Sequence, residues 1–154
     1  MDMTDGDQLK LSNQICFPLY SVSRLITKAY KPYLDKLGLT YPQYLVLLVL
    51  WENDRLSVNE ISSKLLLNTN TISPLLKRME KLEIIKRNRS NEDERFVFVQ
   101  LTEKGKHLKT DALPIPEKLV TELVSAKIQI EDMLKLKDML NNWVNILTDD
   151  NKNT

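Results

Sequence analysis

The sequence predicts a mainly α fold carrying one small β-hairpin, and three features of the chain lead to that expectation. A capped short helix, a second helix bearing small polar groups and cations, and a basic hairpin follow one another without a gap between residues 57 and 101. Apolar stripes of helical period lie on both sides of that stretch. This order is that of a winged helix-turn-helix with N- and C-terminal dimerisation helices.

From the N-terminus, Leu11 to Leu37 carries Ile15, Leu19, Val22, Leu25, Ile26, Tyr30, Tyr33 and Leu34 as a broad helical stripe. Thr40-Tyr41-Pro42-Gln43 then has capping-box spacing with proline in the first turn, and it opens an apolar helix through Tyr44, Leu45, Leu47, Leu48, Leu50 and Trp51. That helix is expected to support the reading head from beneath. Ser57-Val58-Asn59-Glu60 is a second capping box, for a helix over 58–65 whose inner side would be Val58, Ile61 and Leu65. Leu66-Leu67-Asn68 supplies the turn. The next helix starts among Asn68, Thr69, Asn70 and Thr71, all competent caps, with Pro74 in its early turns. Ile72, Leu75, Leu76, Met79 and Leu82 should pack inward, which leaves Thr69, Asn70, Thr71, Ser73, Lys77, Arg78 and Lys81 outside.

Ile84 to Arg89 reads as one strand and Arg95 to Leu101 as its partner, with Ser90-Asn91-Glu92-Asp93-Glu94 as the polar tip. After the hairpin, Thr102 caps a helix toward Ala112, Leu113-Pro114-Ile115-Pro116 kinks or breaks it, and Ile128 to Leu147 forms the last helix. The organisation expected is one domain over 1–154, a reading head over 40–101, and dimerisation helices over 9–38 and 102–148.

Bulk charge hides the chemistry of this arrangement. The 154 residues hold 22 Lys+Arg against 21 Asp+Glu, a net charge of +1, so no nucleic-acid partner follows from overall charge. Locally the balance differs: Lys77, Arg78, Lys81, Lys86, Arg87 and Arg89 meet only Glu80 and Glu83. Short hydroxyl and amide groups at the start of the second helix suit base edges in a major groove, while the cations further along suit phosphates. Arg95, at the base of the projecting tip, suits a narrow minor groove, with Asp93 close enough to orient it. Double-stranded DNA with a near-palindromic site is therefore the expected partner of a two-fold dimer.

Other classes fall away. No apolar run approaches the ~20 residues of a membrane span, and the acidic start Met1 to Gln8 is unlike a secretory signal, so a cytoplasmic location is expected. One cysteine excludes an internal disulfide framework, and the single His107 has no Cys or His near it to share a metal. No phosphate loop, metal motif or placed base is legible, and neither cofactor nor enzymatic activity is expected. A thiol peroxidase of the Pro-x-x-x-Thr-x-x-Cys kind is disfavoured, since neither residue stands at those offsets before Cys16.

Leu75-Leu76-Lys77-Arg78-Met79-Glu80, Asn91-Glu92-Asp93-Glu94-Arg95 and Leu101-Thr102-Glu103-Lys104-Gly105, in this order, resemble the MarR family of bacterial regulators. Asn13 to Tyr20, Tyr30-Lys31-Pro32-Tyr33-Leu34 and Leu39 to Tyr44 are similar, more narrowly, to its organic-hydroperoxide-sensing OhrR branch. The resemblance covers nearly the whole chain. It implies a repressor dimer that holds DNA while Cys16 is reduced and releases it once a hydroperoxide oxidises that thiol, with Tyr30 and Tyr41 reaching the sulfur from the partner subunit. With no second cysteine, the sulfenic acid would pass to a disulfide with a low-molecular-weight thiol or to further oxidation. The alternative is a MarR-type repressor released by a small aromatic or phenolic ligand, with Cys16 structural. Two departures accompany the match. Asn68-Thr69-Asn70-Thr71 stands where OhrR proteins typically have Asp-Ser-Gly-Thr, so operator preference does not carry over, and Pro18 puts Cys16 at the helix mouth or just ahead of it.

Overall fold

The structure, a computed structural model, describes residues 6–89, 96–124 and 128–150. These fall into two compact units, divided after Ile115. In the first, two short 3-10 turns at Asp7–Leu9 and Leu11–Asn13 precede helix α1, Cys16–Lys36. The α-helix thus begins later than the stripe from Leu11 indicated, because Gln14 is extended and interrupts it. Pro18 lies in the first turn, where a missing N–H costs no helical bond. At the other end Gly38 takes φ 66°, and the Leu39 N–H returns to the Leu34 carbonyl at 3.0 Å, ending the helix in a left-handed turn.

Helix α2, Tyr41–Glu52, opens on the Thr40 and Gln43 box, where the Thr40 N–H donates to Gln43 Oε1 at 2.8 Å. Tyr44, Val46, Leu47, Val49 and Leu50 are all buried, so this helix is covered on most sides and occupies the centre of the core. Strand β1, Leu56–Ser57, leads into α3, Val58–Leu65, capped as expected: Ser57 Oγ accepts from the Glu60 N–H at 3.2 Å, and Glu60 Oε2 accepts from the Ser57 N–H at 2.7 Å. Val58, Ile61 and Leu65 face inward as expected, Ile61 fully buried and the other two half-buried against the core, and Ser62 is buried beside them.

Leu66 closes α3 with φ 52°, and α4 runs over Thr69–Lys81. Of the four candidate caps Asn68 serves, its Oδ1 accepting from the Thr71 N–H at 2.9 Å. Ile72, Leu75, Leu76 and Met79 pack inward as expected, but Leu82 does not. It is the capping residue beyond the last turn and remains 42% exposed. Strands β2, Ile85–Arg89, and β3, Val97–Leu101, pair antiparallel, with Asn88 opposite Phe98 and Ile85 opposite Leu101. The two-residue β1 adds to the other edge of β3, a third strand too short to leave an alternation in the sequence. Helix α5, Glu103–Ala112, is capped by Thr102 Oγ1, which accepts from the Gly105 N–H at 3.1 Å.

Past the break at Leu113 and Pro114 the chain forms α6, Ile115–Leu123, which was not foreseen, and α7, Ile130–Asp150. Proline at Pro116 stands in the first turn of α6, where it initiates a helix as readily as it ends one. Along α7, Leu134, Met139, Trp143, Val144 and Leu147 are exposed.

Gly105 is required by close approach: a Cβ there would collide with the Ile84 carbonyl oxygen and press on Leu101. Gly105→Ala should therefore lower stability by about 1–3 kcal/mol, the overpacking cost exceeding the ~1 kcal/mol helix preference of alanine. Urea unfolding measures this, and an unchanged or raised midpoint would contradict the contact. Tyr44 is only 2% exposed, and burial, helped by neighbouring Tyr30 and Tyr41, pushes its phenol from 10.0 up to about 12. The fold thus favours the neutral phenol, so this contribution is whole below pH 10 and vanishes as pH rises through about 12. Alkaline titration of stability should fall across that window, and less steeply in Tyr44→Phe.

Candidate nucleic-acid interface and thiol site

The face of α4 opposite its buried residues is polar. Asn70, Lys77 and Lys81 lie along its middle, Thr69, Thr71 and Arg78 are exposed beside them, and Ser73 is half-buried at the flank. Ser73 and Thr69 also line a cavity of about 310 Å³ between the starts of α3 and α4 and the hairpin, with Ser57, Asn59 and Phe96. Short donors and acceptors therefore cluster at the N-terminal end of α4 and cations at its C-terminal end. Such a surface can offer hydrogen bonds to base edges and charge to phosphates at once.

On the hairpin, Lys86 and Arg89 are exposed. Arg87, counted above in the local excess of cations, is paired within the fold. Its Nε and Nη2 donate to Glu80 Oε2 at 2.9 and 2.7 Å, and its N–H donates to Glu80 Oε1 at 3.2 Å. The carboxylate of α4 has captured the guanidinium, which holds β2 to the helix. Asp93 and Arg95 lie outside the described residues.

Cys16 is exposed and stands at the first residue of α1, where Pro18 allows a helical start. Tyr30 and Tyr41 are brought together, their ring centroids 5.0 Å apart, and both are half-buried. Burial raises each phenol above its ordinary range, Tyr41 adding to the effect at Tyr30, so both hydroxyls remain protonated donors at neutral pH. Tyr44 joins them, 5.7 Å from Tyr30 and 6.4 Å from Tyr41. Its membership was missed, although a tyrosine three residues after Tyr41 in a helix is on an adjoining face.

The sulfur and the phenols of one chain do not meet. Tyr30 lies about four turns along α1 from Cys16, a rise of about 21 Å, far beyond the reach of either side chain. Beside Tyr41 a cavity of about 540 Å³ opens, lined among others by Arg24, Lys28, Lys31, Leu34 and Leu39. His107 is exposed on α5, and among the described residues no His/Cys/Asp/Glu group could hold a metal ion. No described helix is long and apolar enough to cross a membrane.

Residues 28–112 match the family described as transcriptional regulator SarA/Rot. The organic hydroperoxide resistance transcriptional regulator of Bacillus subtilis (strain 168) is 51% identical over 134 residues, covering 87% of this chain and 89% of that protein. Reduced AbfR bound to DNA superposes with a TM-score of 0.77 at 33% identity, over 95% of this chain and 99% of the other. Overoxidized AbfR bound to DNA gives 0.73 at 33% identity, over 94% and 99%; AbfR is from Staphylococcus epidermidis. The mainly helical winged fold and this extent of identity agree, and the chain belongs to the MarR/OhrR-type transcriptional regulators, which are not enzymes.

Proposed function

We propose that this protein is a homodimeric repressor that binds a near-palindromic DNA site and releases it when a hydroperoxide oxidises Cys16. The observation that carries the reading is the distance along α1. An exposed thiol and a pair of neutral phenols about 21 Å away along a rigid helix can form one site only if two copies bring their opposite ends together. The relative at 51% identity is named for organic hydroperoxide resistance, and AbfR has been solved on DNA.

A two-fold pairing has surface to use. Ile15, Phe17, Tyr20, Val22 and Leu25 are exposed on or just before α1, and α7 exposes its own apolar line. The arms would be 9–38 and 102–148, and the two reading heads, 40–101, would meet DNA about one turn, ~34 Å, apart. Thr69, Asn70, Thr71 and Ser73 then address base edges, Lys77, Arg78, Lys81 and Arg89 the phosphates, and the wing motif that holds Asp93 and Arg95 the minor groove. Arg87 contributes by holding the hairpin on Glu80.

In the reduced dimer, Tyr30 and Tyr41 of one copy donate to the Cys16 sulfur of the other. The sulfur, as thiolate, attacks the terminal oxygen of the hydroperoxide; the O–O bond breaks, the alcohol leaves with a proton, and a sulfenic acid remains. A low-molecular-weight thiol then condenses with it, releasing water and leaving a mixed disulfide, since the chain holds no second cysteine. AbfR is known on DNA in an overoxidized state, so the bulkier mixed disulfide is the product assigned to release here. Its volume cannot share the phenol site, and the reading heads change separation.

The cavity beside Tyr41 supports a second reading, release by a small aromatic or phenolic ligand with Cys16 structural; Arg24 and Lys28 line that cavity together with Lys31, which is paired to Asp35 at 2.6 Å. Gel shifts on DNA upstream of the protein's own gene separate the two. With cumene hydroperoxide and a small thiol, the wild type should lose about tenfold or more in affinity, and Cys16→Ser should bind equally well and keep its grip. Release of Cys16→Ser under the same treatment would refute the thiol switch.

A further inference from the structure

The three carbonyls that follow α4 are all held by the first turn of α5. Leu82 O accepts from Lys104 Nζ at 2.8 Å, Glu83 O from Thr102 Oγ1 at 2.6 Å, and Ile84 O from the Thr102 N–H at 3.1 Å. The Thr102 hydroxyl is fully directed: its proton goes to Glu83 while its oxygen accepts from the Gly105 N–H at 3.1 Å. Glu83 itself has φ 58°, a left-handed conformation that an unconstrained glutamate rarely keeps. The bare Cα of Gly105 lets α5 lie against the Ile84 carbonyl.

A second tie joins this turn to α2. Trp51 Nε1 donates to Gly105 O at 2.9 Å, and Lys109 Nζ donates to Trp51 O at 3.1 Å. The Trp51 ring meets Tyr44 edge-on, 6.2 Å between centroids, and Tyr44 packs on Tyr30 and Tyr41. The contacts run without interruption from the phenol pair, along α2, through Trp51 and Gly105, to the end of α4.

We infer that the first turn of α5 is a clasp that sets the angle at which α4 is presented to DNA, and that Trp51 links this clasp to the phenol pair, so that Thr102 and Lys104 are positioning residues for reading DNA and Trp51 is one for its redox control alone. The inference rests on the reading of α4 as the helix that meets DNA and of the phenols as the sensing partners. Lys104 shows what is distinctive in it. An exposed lysine beside a reading head would ordinarily be counted as a phosphate contact, yet its ammonium is committed to the carbonyl that closes α4.

Loss of a phosphate contact weakens all DNA alike and reduces the salt slope by about one, whereas a misaimed helix loses specific affinity with the slope unchanged. The full-length reduced protein is titrated with its own upstream DNA and with an unrelated duplex over a salt series, at a temperature where far-UV circular dichroism reports every variant folded. Thr102→Val and Lys104→Met should lose about tenfold in specific affinity, with unchanged affinity for the unrelated duplex and an unchanged slope, and Thr102→Ser should restore binding. Trp51→Phe, which keeps the ring and removes the donor, should bind within about threefold of wild type when reduced but lose most of the peroxide-induced fall in affinity.

A slope reduced by one in Lys104→Met would make that residue a phosphate contact and overturn the clasp. So would full specific affinity in Thr102→Val while Lys77→Ala and Asn70→Ala are weakened; if those two are also unaffected, the reading of α4 itself has failed and the clasp with it. A wild-type fall on oxidation that persists in Trp51→Phe overturns the link to the phenols. A wild type that ignores peroxide sinks both the redox reading and that link, and leaves the reduced-state results to judge the clasp alone.

Discussion

The stiffness of α1 is the constraint on which the rest depends. A helix cannot fold back on itself, so placing the only cysteine at its first residue and a tyrosine about four turns on fixes their separation within one chain. On the proposed function each chain would carry half of a site at either end of the same rod. Pairing two such rods antiparallel would complete two sites at once, and it would make the chemistry of one sulfur a property of the interface. The exposed apolar residues at the N-terminal half of α1, Leu25 among them, fit that need for a partner.

On the same proposal helix α2 would carry that constraint to the reading head. It is the most enclosed helix of the first unit, and it carries Tyr41 and Tyr44 near its start and Trp51 near its end. A packed helix transmits displacement because its neighbours cannot deform continuously. Strain at the phenols would therefore be delivered to the far end of the same element, where the indole holds the backbone of α5. Glu80 and Arg87 secure the hairpin to α4 by a separate tie, so helix and hairpin can move as one piece.

Local determinants were legible in the sequence and long-range ones were not. Ser57 with Glu60 and Thr40 with Gln43 each span three residues, and both boxes form as their spacing indicates. The inward line of α4 also followed from periodicity up to Met79, then failed at Leu82, where the helix had already ended. The later start of α1 and the separate α6 depend on where short turns and proline positions divide an otherwise helical stretch. β1 exists only because β3 lies beside it. The commitment of Arg87 to Glu80 crosses a turn, and that of Trp51 to Gly105 spans 54 residues, so neither leaves a pattern in sequence. In the thiol site, Cys16, Tyr30 and Tyr41 could be named from flanking residues, but the helix geometry was needed to exclude their meeting within one chain.

Crossed heterodimers test most directly whether sulfur and phenols meet across copies. One copy carries Cys16→Ser, and the other keeps Cys16 but carries Tyr30→Phe and Tyr41→Phe, so the surviving thiol has intact phenols only in its partner. Meeting across copies predicts oxidation by cumene hydroperoxide at the wild-type rate in this pair. The mirror pair, with all three substitutions in one copy and none in the other, should react as slowly as a homodimer lacking both phenols. The reverse order of rates would contradict the shared site.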